Sequence, residues 1–246
     1  MQTYYLTDAG KIRDHNEDSV IIVKNKNDEY LLAVADGMGG HKAGEVASSL
    51  AIEYLSKQWD LLDTIGEKNN AVNWLRTSVQ TINDEIIKHA NKNEDSKGMG
   101  STLVVAILTN EYLLFGNIGD SSGYVMKEDK LYKVTKDHTL VNLLVSTGEL
   151  TEEEAKLHPR KNVLMRALGV NNPTELDIFD VDMSAQGILL CSDGLTNMLS
   201  DDQIEKVLNN EKWTIEEKIK RLVKKSNIRG GTDNISIAYL IRECGE

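Results

Sequence analysis

Short runs of apolar, often β-branched residues alternate with polar turns along most of this chain. Runs of about four to eight such residues, bounded by Gly, Asn, Asp or Ser, are typical of β-strands. The pattern predicts strands at residues 19–23, 30–35, 102–108, 112–118, 123–126, 131–134, 176–181, 187–191 and 235–241. Strands in this number need other strands or helices against which their apolar faces can pack.

Two long helices are predicted between the second and third of these strands, because apolar residues recur there at every third or fourth position. The first apolar stripe consists of Ala43, Val46, Ala47, Leu50, Ala51, Tyr54 and Leu55, and the second of Leu75, Val79, Ile82, Ile86 and Ala90. The two helices follow one another directly, which argues against a doubly wound parallel sheet. The sequence therefore predicts an α+β sandwich, in which sheets are flanked by helices.

Helix-start signals mark three further helices in the second half of the chain. Each is a capping box, and the three are Thr151-x-x-Glu154, Ser200-x-x-Gln203 and Thr214-x-x-Glu217. The first belongs to the segment 138–166, where two short helical stretches and a His158-Pro159 break lie between strand regions. We interpret this segment either as a flap beside a functional site or as an ordinary surface excursion.

Composition limits the classes of protein to which the chain can belong. One domain spanning residues 1–246 is expected, because the length suits one large core and no Pro-, Ser- or Gly-rich linker divides it. The 28 basic and 39 acidic residues give a net charge of −11, which argues against a nucleic-acid or anionic-membrane surface.

Cysteine content and hydropathy bear on location. Cys191 and Cys244 are too few for a disulfide framework and favour a reducing, cytoplasmic setting. The apolar stretches fall far short of the roughly 20 residues that span a bilayer. The amino terminus does not read as a secretory signal. A soluble cytoplasmic protein without stable membrane association is the expectation.

Short acidic motifs are scattered from one end of the chain to the other. They are Asn16-Glu17-Asp18, Asp36-Gly37-Met38-Gly39-Gly40-His41, Gly119-Asp120, Ser192-Asp193-Gly194 and Gly231-Thr232-Asp233-Asn234. Several adjoin an apolar run, where a fold can gather carboxylates at strand ends around one pocket. Such oxygens suit Mg²⁺ or Mn²⁺, whereas five separated histidines without a His-Glu-x-x-His pattern offer little to zinc. The set predicts a two-metal site with oxygen ligands.

Each motif taken alone has a simpler interpretation. Asp36 can cap the helix that begins near Ala43, and an Asp-Gly or Asp-Asn pair is most often a turn. A nucleotide-phosphate loop is a weaker alternative, because neither glycine-rich stretch completes G-x-G-x-x-G and no Gly-Lys-Ser/Thr follows. Only the set and its order favour a functional site.

The ordered motifs resemble the metal-dependent protein phosphatases of type 2C, above all their short, single-domain bacterial members. The resemblance spans nearly the whole chain and rests on Arg13-x-x-Asn16-Glu17-Asp18, Asp36-Gly37-Met38-Gly39-Gly40-His41, Gly98-Met99-Gly100-Ser101-Thr102, Gly119-Asp120-Ser121, Ser192-Asp193-Gly194 and Asp233-Asn234. It implies two antiparallel β-sheets flanked by helices, a Mn²⁺ or Mg²⁺ centre, and hydrolysis of phosphoserine and phosphothreonine. The expected partners are phosphorylated substrates of a serine/threonine kinase, and the expected state is a monomer.

The resemblance implies which residues bind the two principal ions. Asp36 would bridge both ions, and the Gly37 carbonyl would complete the shell of one of them. Asp193 and Asp233 would hold the other ion. All of these ligands are oxygens, as hard divalent cations prefer.

Supporting roles follow from the same resemblance. Glu17 and Asp18 would act largely through bound water, and Asp120, with Asp193, would help to bind a third, weaker ion. Arg13 would bind the substrate phosphate, because a guanidinium fork matches two phosphate oxygens. The alternative for Arg13 is a surface ion pair with a neighbouring acidic residue, Asp14 or Glu17.

Two departures from the family pattern bear on the expected chemistry. Animal members commonly place a histidine directly after the Asp-Gly pair as the proposed general acid, whereas this chain has Met38 there and His41 three residues later. His41 is thus a candidate catalytic acid, and a supporting histidine at a helix start is equally consistent. Ser122 replaces the usual arginine after Gly-Asp-Ser, which predicts altered packing or substrate contacts near Asp120.

Two other functions are compatible with the residues alone. A metal-dependent nuclease or nucleotide hydrolase uses the same carboxylates, but the acidic balance and the lack of a basic stripe count against nucleic acid. A pocket that binds phosphoproteins or metal without turnover would keep the same residues and release no phosphate.

Overall fold

The computed structural model of the chain describes residues 1–40, 42–170 and 172–242. His41 and Cys244, both noted in the sequence, lie outside these ranges. The described strands are β1 Gln2–Asp8, β2 Asp18–Lys24, β3 Tyr30–Met38, β4 Gly100–Ser101, β5 Leu103–Leu108, β6 Leu113–Ile118, β7 Ser122–Lys127, β8 Lys130–Lys133, β9 Asp177–Val181, β10 Gly187–Cys191 and β11 Ile235–Ile241. The α-helices are α1 Ala43–Asp60, α2 Lys68–Lys92, α3 Leu140–Ser146, α4 Glu152–Leu157, α5 Asp193–Thr196, α6 Asp201–Leu208 and α7 Ile215–Ile228, and a 3₁₀ helix covers Glu94–Ser96.

The strands form two antiparallel sheets that pack face to face. One sheet has the order β1-β11-β10-β7-β8, and the other has the order β2-β3-β5-β6-β9 with β4 paired to β3. Helices α1 and α2 cover the outer face of the second sheet, and α5, α6 and α7 cover the outer face of the first. This arrangement confirms the predicted α+β sandwich flanked by helices.

The central strand β3 shows how the sequence separates the layers. Successive side chains of a strand point to opposite faces of the sheet. Leu31, Ala33 and Ala35 therefore pack with the helices, while Leu32 and Val34 pack between the sheets. Because both faces are buried, the strand reads as a continuous apolar run.

The predicted elements are confirmed apart from their boundaries, while the short helix α5, the 3₁₀ helix and two strands were not predicted. All nine predicted strands and both long helices are present, and α4, α6 and α7 begin at the three capping boxes. Strands β1 and β4 were missed. The segment of β1 mixes polar and aromatic residues at an edge of its sheet, where pairing with β11 over its full length supplies the order. Among the helices of the described ranges, none combines the length and apolarity that crossing a bilayer requires.

The tight turn of the glycine-rich stretch 37–40 comes at its end and not directly after Asp36. Strand β3 continues through Asp36 and Gly37 to Met38, because Gly37 and Met38 pair with Ser101 and Gly100 of β4. The backbone turns only at Gly39, whose φ of 152° lies outside the usual range for residues with a side chain. Strands paired on both sides of β3 consequently hold the backbone of Asp36 in place.

Candidate functional site

Four aspartates from distant parts of the chain line one cleft of about 420 Å³. They are Asp36 in β3, Asp120 between β6 and β7, Asp193 at the start of α5, and Asp233 just before β11. Both sheets contribute, so the cleft lies where the two layers meet at one end of the sandwich. The fold thereby brings together every carboxylate that was predicted to bind metal directly.

Asp18 stands behind Asp36 and does not line the cleft. Its Cα is the register partner of Asp36 across β2 and β3, and its side chain is buried. One carboxylate oxygen, Oδ2, accepts a hydrogen bond of 2.7 Å from Ser192 Oγ in the opposite sheet. Asp18 therefore connects the two sheets directly beneath the cleft.

Burial and mutual repulsion raise the pKa of the clustered carboxyls. Burial is the main cause of the pKa of about 7 at Asp18 and at Asp120. It also raises the pKa of Asp193 to about 6, with Asp233 contributing. For Asp36 the pKa lies well above its ordinary value, first because of burial and then because Asp18, Asp193, Asp120 and Asp233 are close. A cation among these groups would favour their charged forms.

The oxygens of this cluster fit a hard divalent cation. The buried Oδ1 atoms of Asp18 and Asp193 have no hydrogen-bond partner among the described residues, and a buried carboxylate oxygen normally has one. In residues 1–40, 42–170 and 172–242, no group of three or more His, Cys, Asp or Glu side chains is arranged as a ready metal cage. An ion here would complete its shell with backbone carbonyl and water, as Mg²⁺ commonly does.

Arg13 lies on the rim of the same cleft. Its Nη2 atom is 2.8 Å from Asp233 Oδ2, and half of the Arg13 side chain is exposed. Burial alone would lower the Arg13 pKa, but the carboxylate of Asp233 outweighs it and the net shift is upward. The ion pair joins Arg13 to one of the predicted metal ligands, whereas the sequence suggested Asp14 or Glu17 as the partner.

Glu17 lines the cleft beside Gly37, and its main chain is held from two directions. Its N–H donates to Asn234 Oδ1 at 2.8 Å, and its carbonyl accepts from the Gly37 N–H at 3.1 Å and from Ser48 Oγ at 2.6 Å. Burial is the main cause of its raised pKa. The side chain thus faces the acidic cleft from a fixed backbone.

Asn234 is a site residue that sequence reasoning missed. Its Nδ2 donates at 2.9 Å to the carbonyls of Ala9 and His15, so one side chain fastens the loop that carries Arg13. The signal was present in the motif Gly231-Thr232-Asp233-Asn234, in which only the aspartate was assigned a role. Asn234 thus ties the backbone on both sides of Arg13 to the residue that follows Asp233.

Thr102 was missed in the same way. Its Oγ1 accepts from the Asp36 N–H at 3.0 Å and shares a 2.7 Å hydrogen bond with Ser121 Oγ. Thr102 therefore links the backbone of Asp36 to the turn that holds Asp120. It belongs to the glycine-rich motif 98–102, and its hydroxyl makes both of these contacts.

Helix α1 begins against the end of β3 without using Asp36 as a cap. Its N-cap residue is Lys42, which makes no side-chain capping bond, so the capping interpretation of Asp36 is wrong. A Cβ at Gly37 would lie 2.1 Å from the Gly44 carbonyl oxygen and 2.6 Å from that of Glu17. Only glycine permits this approach of helix to strand.

The segment 138–166 is a flap beside the site, as one of its two interpretations predicted. The flap contains α3 and α4, and its ends are joined by hydrogen bonds from the Met165 N–H to the His138 carbonyl and from the Leu140 N–H to the Val163 carbonyl, both 2.8 Å. Asn162 and residues 164–167 line the same cleft as Arg13. The flap therefore forms one wall of the acidic cleft.

The two departures from the family pattern have different surroundings. Met38 lines the cleft, so an apolar side chain stands where animal members commonly have histidine. His41 lies outside the described residues. Ser122 begins β7 in the protein interior, and its Oγ finds no hydrogen-bond partner within the parts of the chain that are described.

Comparisons with known proteins give consistent relatives over the full length. A family model described as protein phosphatase 2C matches residues 11–225. The chain is 42% identical over 244 residues to the serine/threonine phosphatase stp of Listeria monocytogenes serovar 1/2a, covering 99% of this chain and 96% of that protein. It is 35% identical over 243 residues to the protein phosphatase PhpP of Streptococcus pneumoniae serotype 2, covering 98% and 97%.

Solved structures of serine/threonine phosphatases are also similar to this chain over nearly its whole length. The crystal structure of the serine/threonine phosphatase Stp1 from Staphylococcus aureus superimposes with a TM-score of 0.93 at 35% identity, covering 99% of this chain and 95% of that one. The Mycobacterium tuberculosis serine/threonine phosphatase PstP/Ppp gives a TM-score of 0.86 at 35% identity, covering 98% and 99%. Sequence and three-dimensional similarity thus extend over the same region.

Proposed function

The chain belongs to the protein phosphatase 2C family and is a metal-dependent serine/threonine protein phosphatase, and we propose how the residues of its cleft divide the work. One observation carries the proposal: Asp36, Asp120, Asp193 and Asp233 line the same cleft as Arg13. Carboxylates that bind cations and a guanidinium that binds phosphate therefore face one space. Phosphorylated proteins are the substrates.

The proposed cofactor is a pair of Mn²⁺ or Mg²⁺ ions. When bound, such ions supply a water of lowered pKa as nucleophile and offset the charge of the phosphoryl group. Asp36 would bind both ions and Asp193 and Asp233 one of them, while the Gly37 carbonyl would complete the other shell. The raised pKa values of Asp36 and Asp193 support this role, because a nearby cation favours their charged forms.

The remaining acidic residues are assigned supporting roles. Glu17 and Asp18 would hold ordered water of the metal shells. Asp18 suits this role because it lies behind Asp36, and its Oδ1 has no hydrogen-bond partner among the described residues. Asp120, with Asp193, would help to bind a third, weaker ion. Both residues line the same cleft, and the charge of Asp193 contributes to the raised pKa of Asp120.

Arg13 would orient the phosphoryl group for in-line attack. Its guanidinium is exposed at the cleft rim and offers donors in a planar fork. No side-chain nucleophile would be needed, since the bound ions would supply water as the nucleophile. His41 is proposed to protonate the leaving alkoxide, and it lies outside the described residues.

Four further proposals concern the setting of the enzyme. We propose that it reverses phosphorylation by a serine/threonine kinase, acts as a monomer and works in the cytoplasm. We also propose that residues 1–246 form one domain. The small number of cysteines supports the reducing compartment, and the absence of a sequence heptad supports the monomer.

The test is phosphate release from a phosphothreonine peptide with Mn²⁺, with EDTA, and with the Asp233→Ala variant. We expect activity with Mn²⁺, none with EDTA, and a loss of roughly 100-fold or more in Asp233→Ala. The exposed Asp63, which pairs with Lys26 away from the cleft, provides the matched control Asp63→Ala, with activity close to that of wild type. Single-stranded DNA is the comparison substrate, and preferential DNA cleavage would contradict the assignment.

A further inference from the structure

His138 occupies the junction between the flap and the turn that carries Asp120. Its side chain is 6% exposed. The main-chain N–H of His138 donates to the Gly119 carbonyl at 2.9 Å, and the Gly119 N–H donates back to His138 Nδ1 at 3.1 Å. One residue therefore holds both polar backbone groups of the glycine that precedes Asp120.

These contacts fix the tautomer of the His138 ring. A backbone N–H can only donate, so Nδ1 must be the acceptor and the ring proton must be on Nε2. Nε2 lies 3.0 Å from Asp177 Oδ2, which accepts that proton's hydrogen bond. The carboxylate thus orients the ring with its acceptor toward Gly119.

Asp177 is in turn held by a residue of the cleft wall. Arg166 donates from Nη1 to Asp177 Oδ1 at 3.0 Å and from Nη2 to Oδ2 at 3.1 Å. This bidentate pair fixes the orientation of the guanidinium and of the carboxylate relative to one another. Arg166 lines the cleft at the end of the flap. A continuous chain of hydrogen bonds therefore runs from the cleft wall through Asp177 and His138 to Gly119.

The turn that receives these bonds is built on a glycine, whose backbone is intrinsically free and is therefore held by its hydrogen bonds. Gly119 has a φ of 97°, a conformation that L side chains rarely adopt. Its carbonyl also accepts from Asn117 Nδ2 at 3.3 Å. Because the backbone of Gly119 determines where Asp120 projects, a change at His138 must be felt at that carboxylate.

We propose that His138 is a positioning residue for Asp120, and that the Arg166–Asp177 pair keeps its ring in the orientation that does so. The proposal rests on the proposed function insofar as it uses Asp120 as a group that binds the weaker ion. His138 does not line the cleft, so it acts through Gly119 and does not touch substrate. The flap is thereby tied mechanically to the acidic cluster.

A double-mutant cycle between His138 and Asp120 tests this role. The variants are His138→Ala, Asp120→Asn and their combination, and the readouts are kcat, KM, Mn²⁺ binding by calorimetry without substrate, and thermal unfolding in EDTA. Supporting residues around metal ligands typically change affinity or activity by about 10-fold to 100-fold. We expect His138→Ala to raise the half-saturating Mn²⁺ concentration roughly tenfold, and the double variant to be no worse than Asp120→Asn.

Two conservative variants and one control sharpen the cycle. His138→Asn can place its amide oxygen near the position that Nδ1 has in the wild-type protein, where it can accept from the Gly119 N–H. This variant should restore part of the Mn²⁺ affinity that His138→Ala loses. Asp177→Asn, which breaks the pair with Arg166, replaces His138→Ala in the cycle if the alanine variant does not fold. Tyr112→Phe removes a partly buried hydrogen bond of 2.8 Å to the Gly66 carbonyl. Neither residue lines the cleft, so this variant should lower thermal stability without changing Mn²⁺ affinity.

Additive losses in the double variant, or a His138→Ala variant that loses stability but keeps wild-type Mn²⁺ affinity, would overturn the positioning role. Coupled effects are the signature of residues that act on one another. Failure of the proposed function would look different, since the wild-type protein itself would then release no phosphate with Mn²⁺.

Discussion

Asp18 and Asp36 face one another across β2 and β3, with one carboxylate buried and the other at the wall of the cleft. Neither position helps the fold when no cation is present, because burying an ionised carboxyl is unfavourable without full compensation. Ser192 satisfies only one oxygen of Asp18. These two carboxyls therefore lower the stability of the metal-free protein, as residues of functional sites commonly do.

The first prediction follows from the raised pKa of Asp18. In EDTA the folded pKa of about 7 exceeds the unfolded value of about 3.9, so the folded state binds the extra proton between these pH values. This contribution to stability is present at low pH and is lost as pH rises through about 7. Asp18→Asn should therefore gain thermal stability over wild type at pH 8 and lose that advantage at pH 4.5.

Thermal unfolding of both proteins over this pH range, always in EDTA, checks the prediction. Asp63→Asn, at an exposed position, controls for the removal of one negative charge. A stability difference between Asp18→Asn and wild type that does not change with pH would contradict the expected linkage.

Arg13 gives the second prediction at the residue scale. Its Nη2 lies 2.8 Å from Asp233 Oδ2, so Arg13 and the cation proposed to bind Asp233 would compete for the same carboxylate. Arg13→Ala should raise KM for a phosphothreonine peptide roughly tenfold, and should bind Mn²⁺ more tightly than wild type in calorimetry without substrate. Arg13→Lys keeps the positive charge but loses the planar guanidinium donors. It should therefore show the raised KM without binding Mn²⁺ more tightly. Weaker Mn²⁺ binding in Arg13→Ala would refute the competition.

At the scale of elements, the start of α1 is positioned by glycine-to-glycine contact with β3. Gly-to-Ala changes inside a helix ordinarily stabilise it by about 1 kcal/mol. Here a Cβ at Gly44 would lie 2.8 Å from the Glu17 carboxyl and from the Gly37 carbonyl carbon. The contact of the helix with the site should therefore reverse the usual sign.

Gly44→Ala is predicted to destabilise the protein by about 1–3 kcal/mol, the usual cost of overpacking. It should also lower activity, because Glu17 and Gly37 move. Gly40→Ala is the matched control, since a Cβ there meets no atom of the described residues within 4 Å. Denaturant unfolding and Mn²⁺-dependent phosphate release measure both effects, and a Gly44→Ala variant as stable and active as wild type would show that the helix can shift freely.

Elements differ in how far the sequence predicts them. Strand β3 and helix α1 carry strong periodic patterns and are found where expected, whereas β1 has order only because it pairs with a strand more than two hundred residues away. The cleft residues could be predicted because they belong to short acidic motifs whose oxygens suit a hard cation. The contacts of His138 with Asp177 and of Asn234 with Ala9 could not be predicted, since no local pattern reveals which distant polar groups will meet.

The whole molecule is expected to respond to metal as one thermodynamic unit. Four cleft aspartates come from both sheets, so an ion that binds them bridges the two layers and stabilises only the folded state. A ligand at 100 times its Kd adds about 2.7 kcal/mol. For a chain of this size, each kcal/mol raises Tm by roughly 2–4 °C.

Saturating Mn²⁺ should accordingly raise Tm by roughly 5–10 °C over EDTA at pH 7.5. Asp36→Asn should abolish most of this shift, because it removes the residue proposed to bind both ions, and should have the higher Tm in EDTA, because it removes the most crowded charge. The two curves would then cross as Mn²⁺ increases. A wild-type shift retained in Asp36→Asn would show that the stabilising ion binds elsewhere, even if activity were lost, because stability reports occupancy of the site and activity reports only its chemistry.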